Sequence, residues 1–476
     1  MGLGVCLALT GALPAGAQTV YYVNDDSTTG DIYTTIEGND GNSGTASNAP
    51  KRTLSSVLTN AMAPGDVIYI DTGSYTNNVL ISSVVNGVEG NPIRIQGSTN
   101  LAAGGTTLTA NSGNVLEIRG NYLDLRDFRT IGGTYGIALN NASYNEFLRV
   151  HCISNTLRGL ISSGQDNSNK FRHCIFYAVT WSGLEYQSAS STGNYIENCV
   201  LGSVNNIPIY PKPHSFSNIV NSVFIAPRMF SSSGNIPEVM EHNLFSYTTL
   251  FATEQETMED ARRDRPGWAG NTVADPRVVN ASALDFHLLS MAGHATNGNT
   301  AVTNIAAVYS PAIDFGRLGD AVGDEPLPNG GRVNAGLYGG TAEASKSRSD
   351  DWLFAMTFND GGNLIQTARL EWVAGNLGAG ATVNLEYSTN NGTGWSMITN
   401  GVAATNEAYT WVPAFAHAAV LWRVVNATNA ACVSTNAKPF SVRPATNTAF
   451  SFYVNDGSLS DDVYCSAAGS PSNLGV

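Results

Sequence analysis

Charge is scarce in this chain. Only 13% of its 476 residues are Asp, Glu, Lys or Arg, too few for coiled coils or salt-bridged helix arrays. Acids outnumber bases 38 to 24, and the net charge of −14 works against binding nucleic acid or an anionic membrane. Long apolar runs are equally rare, and past the N-terminus none has the length of a transmembrane helix. Cysteine is sparse and, beyond residue 18, odd in number: Cys152, Cys174, Cys199, Cys432 and Cys465. That is no tidy disulfide framework. Nucleotide-binding glycine loops, zinc-ligand spacings and EF-hand patterns are missing as well. Glycine, at 49 residues, is plentiful, and Asn, Ser and Thr recur throughout. This balance suits short strands joined by many turns.

Residues 1–18 have the character of a secretory signal peptide. The segment GLGVCLALTGALPAGAQ is apolar, too short for a membrane span, and carries an A-x-A pattern at Ala15 to Ala17. The mature chain is therefore expected to be secreted or held at the cell surface.

A repeat of about 23 residues follows. LRVHCIS, FRHCIFY, IENCVLG and IVNSVFI align Cys152, Cys174, Cys199 and Ser222, at spacings of 22, 25 and 23. Phe128 takes the same slot upstream. Each unit has a second run, with Ile137, Leu160, Leu184 and Ile209 in one phase and Ala138, Ile161, Glu185 and Tyr210 in the other. Short β-type runs at this period imply a parallel β-helix, in which equivalent positions stack about 4.8 Å apart. The alignment predicts an inward column of Phe128, Cys152, Cys174, Cys199 and Ser222, with free Cys packing as a small hydrophobe. It predicts a turn ladder of Asp127, His151, His173, Asn198 and Asn221, its side chains bonding to one another and to the backbone. It also predicts an outward column of Arg126, Arg149, Arg172 and Glu197. Stacked arginines suit bidentate binding of a carboxylated or sulfated sugar, although a solvated face reads the same way. Ahead of the coil, TLSSVLTNAMA places Leu54, Val57, Leu58 and Ala61 on one helical face and is stopped by Pro64-Gly65. It is expected to cap the solenoid.

YYVNDD, GNDGNSGT, PKRTLSSVL and PGDVIYIDTGSY together resemble the start of bacterial exported right-handed parallel β-helix proteins of the pectate-lyase-like superfold. DFHLLS, SPAIDFG and GDEPLPNGGRVNAGLYGGTAEASKS resemble their closing segment. The likeness implies an all-β fold over 19–347, with N- and C-terminal caps. The superfold hosts lyases, hydrolases, epimerases and pure binders, so activity is a separate question. Several departures from its enzymes stand out. Asn24-Asp25-Asp26 lies ahead of the coil, His294 lacks the second glycine of a G-H-G motif, and no R-I-K occurs. Glu185 stands alone in its column, where calcium-dependent pectate lyases stack several carboxylates. Lys170 with Arg172 only loosely echoes the Lys and Arg pair of alginate-lyase-like members.

Residues 348–445 alternate apolar and polar residues between turns and read as an immunoglobulin-like β-sandwich. Trp372, Trp395, Trp411 and Trp422 are expected in its core. From Phe452 the chain repeats its own beginning: Tyr453, Val454, Asn455, Asp456, Ser458, Asp462 and Tyr464 match Tyr22, Val23, Asn24, Asp25, Ser27, Asp31 and Tyr33. Residues 446–476 are therefore expected to open a second, truncated β-helix module in a tandem protein whose missing remainder offers cell-surface attachment.

Two functions stay open at this point. One is an exported protein that binds, and in a lyase or hydrolase form cleaves, acidic polysaccharide. The other is a non-catalytic surface or adhesion array. The weak catalytic candidates are Glu185, Tyr210 and Lys212, with Lys212 or Tyr210 as base. The binding candidates are Arg126, Arg149, Arg172 and Gln187. No cofactor is predicted beyond a calcium ion, for which Asp314, Asp320, Asp324 and Glu325 are weak candidate ligands, a solvated acidic loop being the plainer alternative.

Overall fold

The computed structural model describes residues 18–444 apart from 179, 213, 233–235 and 252–255, with isolated positions 455, 457, 458, 460 and 469 beyond. The expected signal peptide and nearly all of the second YVND segment lie outside the described residues.

The chain winds into a parallel β-helix with three faces. Face one runs Val20–Val23, Val67–Ile70, Ile93–Gly97, the first parts of Leu123–Gly132 and Glu146–Ile153, Lys170–Arg172, Asn194–Glu197, Phe216–Val220 and Met240–Glu241. Face two runs Gly73–Thr76, Thr106–Ala110, the second parts of the same two long strands, Ile175–Ala178, Val200–Ser203, Val223–Ile225, Leu244–Ser246 and Thr272–Val273. Face three runs Val79–Ile81, Asn114–Ile118, Tyr135–Leu139, Arg158–Ser162, Ser182–Tyr186 and Ile207–Tyr210. The paired strands Arg228–Phe230 and Thr249–Phe251 follow it.

Faces one and two meet at a corner where Asp127, Arg149, His173, Asn198, Asn221 and His242 all take φ between 49° and 57°. Asn, Asp and His tolerate this left-handed region better than most residues. This column corrects two sequence alignments. Arg149, not His151, occupies the corner; His151 lies on face two beside Arg129. The inward column that follows the corner is Phe128, Val150, Cys174, Cys199, Ser222 and Asn243. Cys152 instead joins Thr130 and Phe176 two residues further on. Cys152, Cys174, Cys199 and Cys432 are all buried free thiols. Face three matches the predicted columns residue for residue.

The corner side chains bond in part to one another and in part to backbone. Arg149 grips Asp127 on the coil before it, but His173, Asn198 and Asn221 clamp residues 313–340, which return along the outside of face two. His173 Nδ1 lies 2.9 Å from the Leu337 carbonyl, and Asn198 Nδ2 donates to the carbonyls of Asn334 (2.9 Å) and Gly336 (3.1 Å). Asn221 Oδ1 accepts from Arg317 N (2.7 Å), and its Nδ2 donates to Asp320 (2.9 Å). Under this strap Ile153, Ile175, Val200, Val223 and Leu244 point outward yet are buried against Phe286, Leu288, Ile313, Phe315 and Leu337. The DFHLLS motif anchors it: His287 bonds Asp285 (2.6 Å) and Glu343 (3.2 Å) and stacks on Tyr338.

Both ends of the coil are plugged. The predicted capping helix forms only over Leu54–Val57, with Thr53 as N-cap, and buries Leu54 and Val57 on the first coil. At the far end helix Met258–Arg263 and the turn Pro266–Trp268 bury Trp268, whose indole N–H donates to the Pro237 carbonyl at 3.0 Å. Beyond the strap two mostly antiparallel sheets form the β-sandwich: Trp352–Ala355, Ala368–Gly375 and Ala408–Trp411 in one, and five strands plus Val433–Thr435 in the other. Trp372, Trp411 and Trp422 are in its core. Trp395 is not; it lies outside under the Arg423 guanidinium, 4.1 Å from the ring centre.

Candidate functional site

Covering decides which surface can meet a ligand. From the coil of Ile153 onward, face two is closed by the strap and by Trp352, Met356 and Val373 of the sandwich; its first strand keeps Ser74 and Thr76 exposed. Faces one and three lie outside that cover.

On face three, glycine fixes the approach of the chain. Gly136, Gly159 and Gly183 stack where face two turns into face three. A Cβ at Gly136 would lie 2.6 Å from the Gly159 carbonyl, and one at Gly159 would lie 2.6 Å from that of Gly183. The neighbours of these glycines point outward: Tyr135, Arg158 and Ser182 form one column. A second outward column runs Leu80, Glu117, Ala138, Ile161, Glu185 and Tyr210. Ala138, Ile161 and Glu185 are only 4–7% exposed, covered by the side chains around them.

Glu185 is the hub. Arg158 grips both its oxygens, through Nε to Oε2 and through Nη2 to Oε1 at 3.2 Å. Ser182 Oγ donates to Oε2 (3.3 Å) and Gln187 Nε2 to Oε1 (2.9 Å). The Arg158 guanidinium also lies 5.4 Å from the centre of the Tyr135 ring. A carboxylate so fully engaged is a positioning group, not a free base. Tyr210 follows it on the next coil, with Lys212 Nζ 5.4 Å from its ring centre. Lys212 has no carboxylate partner among the described residues, nor has the Tyr210 hydroxyl a hydrogen bond to one. Trp181, 40% exposed, stands beside Ser182. The structure thus brings Glu185, Gln187, Tyr210 and Lys212 together, as their columns predicted. Sequence reasoning missed Arg158, Tyr135 and Trp181; the G-L-x runs that located Glu185 carry their neighbours one residue before the glycine.

The three candidate arginines are elsewhere. Arg126 and Arg172 share a column on face one, but Leu148 separates them, and Arg149 lies at the corner. Each is already paired: Arg126 with Asp124, Arg149 with Asp127, and Arg172 with Glu146 (2.5 Å) and Glu197 (3.1 Å). The stacked-arginine surface therefore does not form; face one is a mosaic of neutralised pairs. Lys170, exposed on the same face, has no ion pair among the described residues.

The acidic candidates are in the strap and do not converge. Asp314 accepts from Ser347 Oγ (2.6 Å), and burial pushes its pKa up to about 6. Glu325 Oε1 accepts the amides of Asn334 (2.8 Å) and Gly340 (2.7 Å), and burial raises its pKa to about 7. Asp320 pairs with Arg317, while Asp324 is exposed. Among the described residues no three His, Cys, Asp or Glu side chains are placed to share a metal ion. Asp314 also lines a cleft of about 360 Å³ between strap and sandwich, where Arg348 lies over the rings of Tyr309 and Trp352. This cleft contains none of the face-three residues.

No known protein family and no curated protein matches the chain. Solved structures do. An alginate lyase from Paenibacillus sp. str. FPU-7 is 17% identical, with a TM-score of 0.28, over 46% of this chain and 83% of its own. Native GH136 lacto-N-biosidase from Eubacterium ramulus is 12% identical, with a TM-score of 0.32, over 54% of this chain and 55% of its own. The selenomethionine form of the latter gives 11% and 0.29. Superpositions this loose carry no inference about activity.

Proposed function

We propose that this is an exported carbohydrate-binding β-helix protein whose face three holds an acidic polysaccharide. The observation that carries the reading is the side-chain cluster on that face. Two tyrosines, an amide and an ammonium with no ion pair among the described residues gather around the anchored Glu185, beside the column of Ala138 and Ile161, and the exposed Trp181 is one residue from Ser182. Aromatic rings and planar polar groups beside an apolar strip suit a pyranose, which has apolar ring faces and a polar rim. Any proton transfer falls to Tyr210 and Lys212, because Glu185 is spent on Arg158, Ser182 and Gln187.

The test is affinity electrophoresis of the full chain in gels containing pectate, alginate or a sulfated glycan, with absorbance from new unsaturated ends followed in parallel. Retardation by at least one glycan is expected, with Trp181→Ala and Lys212→Ala each weakening it. Absorbance growth that Tyr210→Phe abolishes identifies a lyase; retardation without growth identifies a binder. No retardation by any of them rejects the reading. It would favour a second one, a structural array of β-helix and sandwich modules, which the recurrence of the YVND segment supports.

A further inference from the structure

A second left-handed column lies at the other edge of face three, where it turns into face one. The amides of Tyr122, Tyr144 and Ser168 donate to the carbonyls of Ser143, Asn167 and Thr192, which stacks Tyr122, Tyr144, Ser168 and Gly193 on successive coils. Their φ values are 55°, 61°, 54° and 71°. Gly193 occupies this region at no cost, but a bulky aromatic does so only against strain. Two consecutive coils nevertheless carry tyrosine. Their rings stack at 4.8 Å and 6°, so Tyr122 covers one face of Tyr144. Over the other face the column shrinks to a hydroxymethyl group and then to no side chain at all. Tyr144 is 52% exposed. A flat notch one ring thick is left where a third aromatic ring would continue the stack.

The chemistry around the notch is one-sided. Two residues past Ser168 comes Lys170, exposed and outside every ion pair among the described residues. Of its neighbours in the column, Glu146 is held by Arg172 (2.5 Å) and Tyr195 bears no charge at neutral pH. One coil further, Asp124 is held by Arg94 (2.8 Å) and Arg126. Arg172 is shared with Glu197 (3.1 Å), so the three acids Glu146, Glu197 and Asp124 meet the three guanidiniums of Arg172, Arg94 and Arg126, and the Lys170 ammonium is the fourth cation of the group. Apolar ring surface beside a lone cation is complementary to a pyranose carrying a carboxylate.

We infer that Tyr144, Ser168 and Lys170 form a uronate subsite, with the sugar ring stacked on the open face of Tyr144 and its carboxylate on Lys170. The inference rests on the carbohydrate reading, but it uses none of the residues proposed above. The coils that carry Arg158 and Glu185 on face three carry Ser168 and Gly193 at the notch.

The test is titration calorimetry of the full chain with a hexamer of galacturonate, a hexamer of mannuronate and the neutral cellohexaose, on wild type, Tyr144→Ser and Lys170→Gln. Tyr144→Ser installs the residue that the next coil already has, and its melting temperature is checked beside that of wild type. Expected is a roughly tenfold loss of uronate affinity in Tyr144→Ser, the scale of one aromatic stack. Lys170→Gln should lose a similar factor for uronates and none for cellohexaose, and should flatten the salt dependence. Uronate affinity unchanged in both variants overturns the subsite, as does a lower melting temperature in Tyr144→Ser with unchanged binding, which would make the stack purely structural. Wild type binding cellohexaose but no uronate overturns the acidic specificity and leaves the carbohydrate reading standing. Binding none of the three, with no retardation in the glycan gels, removes both.

Discussion

At the corner between faces one and two, each coil turns one residue left-handed, and the amide after it faces the interior. A buried N–H there must find an acceptor. Along the axis the acceptor changes. Cys174 N meets Cys199 Sγ (3.4 Å), Cys199 N meets Ser222 Oγ (3.1 Å), Ser222 N meets Asn243 Oδ1 (2.9 Å), and Asn243 N meets Asn271 Oδ1 (3.0 Å). The thiols are therefore weak members of a hydrogen-bonded ladder as well as core filler, which the sequence reading did not foresee. Cys199→Ser should cost no more than about 1 kcal/mol, because the column already accepts a hydroxyl one coil on. Asn243→Leu should cost about 2–4 kcal/mol, since it strands Ser222 N and the Ile219 carbonyl that Asn243 Nδ2 now reaches at 2.7 Å. Urea denaturation of both variants measures this, and equal costs would refute the ladder. The misplacement of Cys152 has its cause at this scale too. Val150 and Cys152 are both inward and two apart, so strand alternation cannot tell them apart. The coil's spacings here are 22 and 24 residues, from Phe128 to Val150 and from Val150 to Cys174.

The strap was the element hardest to read from sequence, though it left a signal. CIFYA, CVLGS, SVFI and NLFS are apolar at successive positions, whereas a strand with one wet face alternates. Such runs announce a sheet covered on both sides. The closing motif is legible, but nothing in its letters says which face it lies on. Glu325 shows how that motif holds itself. Its Oε1 takes two backbone amides, while Oε2 is buried without a partner among the described residues. Burial lifts its folded pKa to about 7, above the ordinary value near 4.3. The stability from this group is full below its unfolded pKa and is lost as pH rises through about 7. Glu325→Gln keeps the accepting oxygen and removes the titration. Its melting temperature relative to wild type should therefore rise between pH 5 and pH 8.5. A difference that stays constant across that range would show that Glu325 does not titrate in the folded strap.

For the whole molecule the question is whether β-helix and sandwich unfold as one. The sequence predicted two modules and a boundary near residue 348, and it carried no information about their seam. That seam depends on which side chains meet across a hundred residues. Asp360 accepts from Tyr247 Oη (2.7 Å) and Met258 N (2.8 Å), and Thr272 Oγ1 donates to the Met356 carbonyl (2.7 Å). Arg262 of the end-plugging helix lies between Glu259 (3.2 Å) and Glu371 of the sandwich, and Gly270 N donates to Glu371 at 3.1 Å. Arg262 draws the Glu371 carboxyl below its ordinary value against the opposing effect of burial, so this acid stays ionised. A buried ion pair contributes little net stability, but removing one partner leaves the other desolvated and uncompensated. Glu371→Ala should therefore cost about 3 kcal/mol, and most of it should fall on the seam. Calorimetry of the wild-type chain should give one transition spanning β-helix and sandwich. In Glu371→Ala the sandwich should melt first as a separate peak, while the coil's own transition holds its temperature. Two peaks already in the wild type would mean that the seam is too weak to couple the two.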